Sequence, residues 1–176
     1  MEIERKFLVA NLPANLDQYP HVDIEQGYLC TSPTLRIRKM GDVYWLTVKE
    51  PQPPTTDHRP PTTDHQLPTT DHRPPTTDNH PPITNREEEF RLTEDKYLLL
   101  RAKCDGYMVS KTRYRIPLDG LTAELDIFHG RHEGLRLVEV EFPSTEAADS
   151  FTAPSWFGED VSTRPEYRNS FLSQTE

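Results

Sequence analysis

Cysteine is scarce in this 176-residue chain, and long apolar runs are missing. Its 2 cysteines, Cys30 and Cys104, exclude a disulfide framework and give no Cys/His spacing suited to zinc. A membrane span needs about 18 apolar residues, and no apolar run is close to that length. No secretory signal pattern is visible. These absences predict a cytoplasmic protein with no membrane partner.

Excess positive charge is also absent. The formal net charge is −9 and the sequence pI is about 5.3, with no basic stripe or arm. A protein that binds a nucleic-acid backbone concentrates basic residues on one surface. The sequence therefore predicts no nucleic-acid partner, and its dispersed bases suit a small polyanionic substrate instead.

Residues 51–85 lack aromatic side chains and contain only two large aliphatic ones, Leu67 and Ile83. The segment is a degenerate seven-residue repeat, Pro-Pro-Thr-Thr-Asp-His-Arg, and it holds ten of the 17 prolines. Because it has almost nothing to bury, we expect an extended, disordered loop inserted in a hairpin. The remaining residues, about 140, suit one domain, so the chain is predicted to be a single domain over 1–176.

Three histidines of the repeat recur every seven residues, at His58, His65 and His72. On a proline-rich coil they lack the fixed geometry of a metal site, so a passive insertion is the prediction. The alternative is a lid over the mouth of a binding site, with these histidines contacting the ligand.

Ionisable residues alternate with other residues from the start of the chain. In Met1-Glu2-Ile3-Glu4-Arg5-Lys6, Glu2, Glu4 and Lys6 would project from one side of a strand. Carboxylates suit a hard divalent ion, and an ammonium suits a phosphate oxygen.

The same alternation returns along the chain, with most acid pairs and base pairs on separate strands. The acids are Glu2, Glu4, Glu87, Glu89, Glu124, Asp126, Glu139 and Glu141. The bases are Lys6, Arg36, Arg38, Lys49, Arg91, Lys111, Arg113 and Arg115. The outward face of an ordinary sheet is a mixture of polar residues, which remains the alternative interpretation. If the strands close with charges inward, the lumen must hold water, ions and a charged ligand, because unpaired buried charge is costly.

Several motifs resemble those of the CYTH superfamily, the triphosphate tunnel metalloenzymes. They are Glu-x-Glu-x-Lys at 2–6, Gln-Gly-Tyr-Leu at 26–29, Leu-Arg-Ile-Arg at 35–38, Trp-Leu-Thr-Val-Lys at 45–49, Lys-Thr-Arg-Tyr at 111–114, Glu-Leu-Asp at 124–126, Val-Glu-Val-Glu-Phe at 138–142 and Tyr-Arg-Asn at 167–169. The match spans 1–50 and 86–172. It implies an α+β fold, an eight-stranded antiparallel tunnel with flanking helices, Mg2+ or Mn2+ as cofactor, and a triphosphate substrate.

Site roles follow from the resemblance and from electrostatics. The first predicted metal ligands are Glu2, Glu4, Glu139 and Glu141. The acids predicted to bind a second ion or orient water are Glu87, Glu89, Glu124 and Asp126. The predicted phosphate-binding residues are Lys6, Arg36, Arg38, Lys49 and Arg113. The predicted catalytic residues are Lys111, which resembles a lysine assisting the leaving group or water, together with Glu4 and Glu89. Weaker candidates for a role in the site are Arg91, Arg115 and Arg168.

The run from Glu87 to Glu89 is ambiguous in register by one residue. We assign Glu87 and Glu89 inward, because Phe90 and Leu92 then share the outer face. Thr93 and Ser144 are predicted N-caps of two helices, the first ending before Gly106. Residues 165–172 are predicted to form a final helix, and all three helices to cover the outer surface.

Three functions compete on this sequence. The leading hypothesis is a metal-dependent inorganic triphosphatase. The second is a class IV adenylate cyclase or a thiamine or nucleoside triphosphatase of the same fold, for which Trp45 and Tyr28 have inward parity. The third is a non-catalytic polyphosphate-binding module, which would need fewer carboxylates. The sequence leaves open whether the chain forms a homodimer.

Overall fold

The computed structural model describes residues 3–51 and 85–174, with the backbone alone at positions 50, 51, 85 and 86. The predicted repeat at 51–85 therefore lies almost wholly outside the described residues. The strands are β1 Ile3–Val9, β2 His21–Thr31, β3 Thr34–Met40, β4 Val43–Pro51, β5 Asn85–Leu92, β6 Asp105–Leu118, β7 Leu121–His129, β8 Arg136–Phe142 and β9 Phe157–Asp160. The helices are α1 Glu94–Arg101, α2 Thr145–Ser150 and α3 Asn169–Leu172.

All strand pairs are antiparallel, and they form one sheet in the order β5-β4-β3-β2-β6-β7-β8-β1-β9. The predicted antiparallel sheet is confirmed. Within the described residues, however, no pairing joins β5 to β9, so the eight-stranded barrel is not confirmed. A ninth short strand, β9, pairs with β1 at the edge of the sheet.

The register places the alternating ionisable residues on one side of the sheet. Directly opposed residues share a face, and the pairs Lys6↔Glu139, Glu139↔Glu124 and Glu124↔Arg115 connect four strands in this way. The pairs Lys49↔Glu87 and Thr47↔Glu89 do the same for β4 and β5. We call this side the charged face. It carries every predicted acid and base except Glu2, which lies outside the described residues.

The opposite side of the sheet holds an apolar core. Buried residues of this core include Phe7, Leu125, Val138, Val140 and Phe142, which occupy the alternate strand positions. Helix α2 covers part of it, with Ala148 buried against the same cluster. Ser144 accepts a hydrogen bond from the Ala147 backbone, so the predicted N-cap of this helix is confirmed.

The C-terminal segment lies over the charged face, which corrects the prediction that it covers the outer surface. Val161 and Leu172 pack with Val109, Phe128 and Leu137, three apolar residues that continue the charged face at one end. These side chains need apolar partners, and the C-terminal segment supplies them. The predicted helix at 165–172 is also wrong in detail: a 3-10 turn, Pro165–Tyr167, and α3 are separated at Arg168, whose backbone is extended.

Helix α1 begins as predicted, with Thr93 accepting a hydrogen bond from the Lys96 backbone. It ends at Arg101, earlier than predicted, and Gly106 belongs to β6. Only Tyr97 of this helix is buried, while Leu98 and Leu99 are exposed rather than part of the core. No helix in the described ranges is long and apolar enough to cross a membrane.

Candidate active site on the charged face

One half of the charged face, on β1 and β6–β8, is a network of buried ion pairs. Lys6 Nζ lies 2.9 Å from Glu139 Oε1, and Lys111 Nζ lies 2.5 Å from Asp126 Oδ2. Arg113 donates to Asp126, Glu139 and Glu124. Each buried charge in this half therefore has a counter-charge, as burial requires.

Burial and ion pairing shift the pKa values of these groups in different directions. Burial lowers the pKa of Lys111 to about 8, and attraction to Asp126 offsets only part of this effect. Burial also lowers the pKa of Lys6, but the charge and hydrogen bond of Glu139, together with the charges of Glu4 and Asp126, outweigh it and the net pKa is raised. Burial raises the pKa of Glu139, yet Lys6 and Arg113 hold it well below its usual range. Lys111 can therefore exchange a proton near neutral pH, whereas Lys6 stays charged.

The other half of the charged face, on β3–β5, contains a second group of bases and acids. Arg36 donates to Thr47 Oγ1 and to Glu87 Oε1, each at 3.1 Å. Lys49 Nζ lies 2.6 Å from Glu87 Oε2. Thr47 donates to Glu89 Oε1 at 3.1 Å. The predicted acids Glu87 and Glu89 thus hold predicted phosphate-binding bases in place.

Between the two halves, buried polar atoms lack partners. Within the described residues, the Nε donors of Arg36 and Arg38 and the Oε1 acceptor of Gln26 are buried with no hydrogen-bond partner. Arg38 forms neither a hydrogen bond nor an ion pair with any described residue. Burial lowers the pKa of Arg38 to about 10, with repulsion from Arg36 and Arg113 adding to the effect. The Arg38 side chain is partly exposed, but its buried Nε donor without an acceptor is costly, so this position favours an anion.

The sheet curves around this position. Tyr28 on β2 lies within electrostatic range of Lys6 and Glu139, although β1 is four strands away in the sheet. Adjacent strands lie about 4.8 Å apart, so a flat sheet would separate these residues by roughly 19 Å. Tyr28 is buried and accepts a hydrogen bond from Gln26. The charged face is therefore concave.

The predicted metal ligands are only partly assembled. Glu4 lies directly opposite Glu141, and both are exposed at one end of the charged face. Within the described residues, no three His, Cys, Asp or Glu side chains are grouped closely enough to hold a metal ion. Asp126, Glu124 and Glu139 are bound to bases instead.

The lower-ranked bases lie at the edges of the face. Arg115 pairs with Glu124 at 3.2 Å and is largely exposed. The Arg91 guanidinium lies 5.7 Å from the centroid of the Trp45 ring, at the β5 edge. Arg168 is exposed.

Two residues of the site lie in the motifs at 45–49 and 167–169 but were given no role from the sequence. Thr47 lies between Arg36 and Glu89, and Asn169 accepts a hydrogen bond from Lys111 at 3.3 Å. Thr47 alternates in step with Trp45 and Lys49, so the strand pattern could have placed it on the charged face. The Tyr-Arg-Asn motif contains Asn169, but its contact with Lys111 could not be predicted, because that contact depends on how the C-terminal segment docks.

Comparison with known proteins identifies relatives along the whole chain. An inorganic triphosphatase of Nitrosomonas europaea is 35% identical over 178 residues, covering 98% of this chain and 96% of the relative. A second inorganic triphosphatase, from Acetivibrio thermocellus, is 38% identical over 74 residues, which cover 42% of this chain and 46% of the relative.

A crystal structure of an inorganic triphosphatase matches at a TM-score of 0.66 and 33% identity, covering 100% of this chain and 96% of that one. No family model matches the chain. Identity above 30% over nearly the full length of both proteins, on the same antiparallel fold, establishes common descent. The chain belongs to the same family as these inorganic triphosphatases, the CYTH superfamily of triphosphate tunnel metalloenzymes.

Proposed function

We propose that this protein hydrolyses inorganic tripolyphosphate on the charged face in a metal-dependent reaction. The observation that carries the proposal is the pair of buried, unpartnered Nε donors of Arg36 and Arg38. Guanidinium groups bind phosphate oxygens with strong, charge-assisted hydrogen bonds. A linear polyphosphate would supply the acceptors and negative charge that this position lacks.

The donor set fits a hard divalent cation. Glu4 and Glu141 are directly opposed carboxylates, which repel each other, and oxygen donors are those that Mg2+ and Mn2+ prefer. We assign Glu4 and Glu141 as ligands, with Glu2 as a further donor outside the described residues. Glu139, predicted for the same ion, would join them only by giving up its pair with Lys6 or Arg113. A bound cation would neutralise phosphate oxygens of the substrate.

The second-ion role predicted for Glu87, Glu89, Glu124 and Asp126 gains no support from their contacts, and Glu124 lies against Arg113 and Arg115. Glu87 lies against Arg36 and Lys49, and Asp126 against Lys111 and Arg113. We propose that Glu87 and Asp126 orient bases. Glu89, the most exposed of the four, remains the candidate for orienting water.

Hydrolysis requires charge neutralisation, an oriented water and a stabilised leaving phosphate. Arg36, Arg38, Lys49 and Lys6 would bind and neutralise phosphate oxygens. Lys111, whose pKa is about 8, would donate a hydrogen bond or a proton to the leaving oxygen. Arg113 has three carboxylate partners, so its main role would be to hold them rather than to bind phosphate.

A substrate with an organic group is the second candidate. Trp45 lies on the charged face beside Arg38, and its ring is contacted by the exposed Arg91 side chain. An aromatic ring there could stack with a nucleobase. Tyr28 favours this less, because it is buried and hydrogen-bonded.

The proposal extends to the shape of the site. We propose that the eight strands β1–β8 close around the substrate as a tunnel, supported by the curvature of the charged face. The cytoplasmic location stays a prediction. Whether the chain forms a homodimer stays open.

A substrate panel tests the proposal. The purified protein is incubated with Mg2+ and tripolyphosphate, pyrophosphate, ATP or thiamine triphosphate, and released phosphate is measured. We expect the highest kcat/KM for tripolyphosphate. Higher kcat/KM for ATP would favour the second candidate, and binding without turnover of any substrate would favour a binding module.

A further inference from the structure

The C-terminal segment, residues 161–174, contacts both buried lysines of the charged face. Lys6 Nζ donates to the Tyr167 carbonyl at 3.4 Å, and Lys111 Nζ donates to Asn169 Oδ1 at 3.3 Å. Both acceptors are neutral, whereas the other partners of these lysines are carboxylates. The segment therefore binds the ammonium groups without adding negative charge near a polyanion.

Hydrogen-bond stoichiometry makes Asn169 the more informative of the two contacts. The Lys111 ammonium has three N–H donors, of which Asp126 and Asn169 accept two. Among the described residues the third donor has no hydrogen-bond acceptor. Because the three donors are tetrahedrally arranged, fixing two of them fixes the direction of the third. Lys111 is only 1% exposed, so the donor is shielded from competing water.

The backbone that carries Asn169 is anchored on both sides. Before it, the Val161 backbone donates to the Lys6 carbonyl at 2.8 Å. After it, the Tyr107 backbone donates to the Ser173 carbonyl at 2.7 Å. This close approach needs glycine at position 106, where a Cβ would lie 2.2 Å from the Ser173 carbonyl oxygen. His132 Nε2 lies 2.9 Å from the Leu172 carbonyl, within hydrogen-bond distance.

We propose that Asn169 is a positioning residue for the hydrolysis, which directs the remaining N–H donor of Lys111 at the reacting phosphate. This inference rests on the proposed function. The amide orients the lysine while leaving its charge available to the substrate. A carboxylate at this position would orient the lysine equally but would repel the polyphosphate.

The test compares three variants of the full-length protein with the wild type. Asn169→Leu removes the acceptor at similar volume, and Asn169→Asp keeps it but adds a charge. Ser170→Ala is the matched control, because within the described residues Lys111 donates to Asp126 and Asn169 and forms no hydrogen bond with Ser170. For each protein, kcat and KM for tripolyphosphate are measured at saturating Mg2+, together with Tm.

We expect Asn169→Leu to lower kcat by about tenfold with KM within about twofold, because orientation acts mainly on the chemical step. Asn169→Asp should keep kcat within about threefold and raise KM severalfold, because the added charge opposes substrate binding. Ser170→Ala should behave like the wild type. If Asn169→Leu does not fold, Asn169→Ala replaces it with the same expectation.

The inference is overturned if the acceptor-free variant keeps kcat within about twofold, or if the Leu and Asp variants lose kcat alike. Either result with an active wild type leaves the proposed function intact. A wild type that does not hydrolyse tripolyphosphate overturns both.

Discussion

The charge of Arg38 destabilises the free protein but favours binding of a polyanionic substrate. Its Nε has no partner within the described part of the chain, and its neighbours Arg36 and Arg113 repel it. Stability and substrate binding should therefore respond in opposite directions when this charge is removed.

Arg38→Met should raise the free energy of unfolding of the free protein by about 1 kcal/mol, because it replaces an unpaired buried cation with an apolar chain. It should raise KM for tripolyphosphate by about tenfold or more, equivalent to roughly 1.5–3 kcal/mol for a charge-assisted hydrogen bond. Lys39→Met is the matched control, because Lys39 projects from the other side of β3. A destabilised Arg38→Met protein with normal KM would show that Arg38 is structural.

Lys111 gives a second prediction at this scale, through pH. Its pKa in the folded protein is about 8, below the ordinary value of 10.5. Between these pH values the unfolded chain binds more protons, so stability rises with pH. Below pH 8 both states are protonated, and the cost of burying the ammonium is constant.

In the wild type we expect the free energy of unfolding to rise by about 1–2 kcal/mol between pH 8 and about 10. Lys111→Met should abolish this rise with pH. Urea unfolding at several pH values measures it, with the exposed Lys103→Met as the control that keeps the rise. Equal pH dependence in the wild type and Lys111→Met would mean that Lys111 does not titrate in this window.

At the scale of single elements, the strands were the most predictable part of the chain. Alternation with a period of two is a local signal, and it was sufficient to place the ionisable residues on one face. The β4–β5 pairing gives the predicted register, with Glu87 opposite Lys49 and Glu88 opposite Val48.

Glutamate-to-glutamine variants test the orientation of β5. Glu89→Gln should lower kcat/KM for tripolyphosphate by about tenfold or more, because Glu89 lies on the charged face. Glu88→Gln, its neighbour on the opposite side, should leave kcat/KM within about twofold. If Glu88→Gln is the damaging change, the strand is shifted by one residue.

The C-terminal elements were less predictable. Val109, Phe128 and Leu137 follow the parity of the charged residues, but nothing local shows which segment covers them. The position of Asn169 over Lys111 depends on this long-range docking. The exposed Leu98 and Leu99 show a similar limit, since helix packing depends on orientation and not on composition alone.

At the scale of the whole molecule, the repeat is joined to a hairpin. Pro51 and Asn85 are paired, so residues 52–84, which lie outside the described ranges, connect neighbouring positions of β4 and β5. A long insertion at such a position adds little closure entropy, and its removal should expose no core.

Joining Glu50 to Arg86 through a short Gly-Ser linker should leave Tm and tripolyphosphatase activity nearly unchanged. Tm is compared by thermal unfolding, and kcat/KM by phosphate release. A clear loss of kcat/KM at unchanged Tm would refute a passive insertion and support a lid that contributes His58, His65 or His72.

The molecule as a whole separates its charges along one concave face. Ion pairs neutralise the β6–β8 half, while Arg36 and Arg38 leave donors unpaired in the other. At the exposed end, Glu4 and Glu141 oppose each other. This distribution suits a polyanion that arrives with a divalent cation, because the carboxylates would otherwise repel it.

The most direct test of this account is phosphate release from tripolyphosphate by the wild-type protein with and without divalent metal. We predict no release in EDTA, and recovery on addition of excess Mg2+ or Mn2+. Glu4→Gln, which removes charge at nearly constant volume, should stay inactive after metal addition while unfolding like the wild type. Full activity in EDTA, with residual metal excluded by elemental analysis, or normal turnover by Glu4→Gln, would contradict the account.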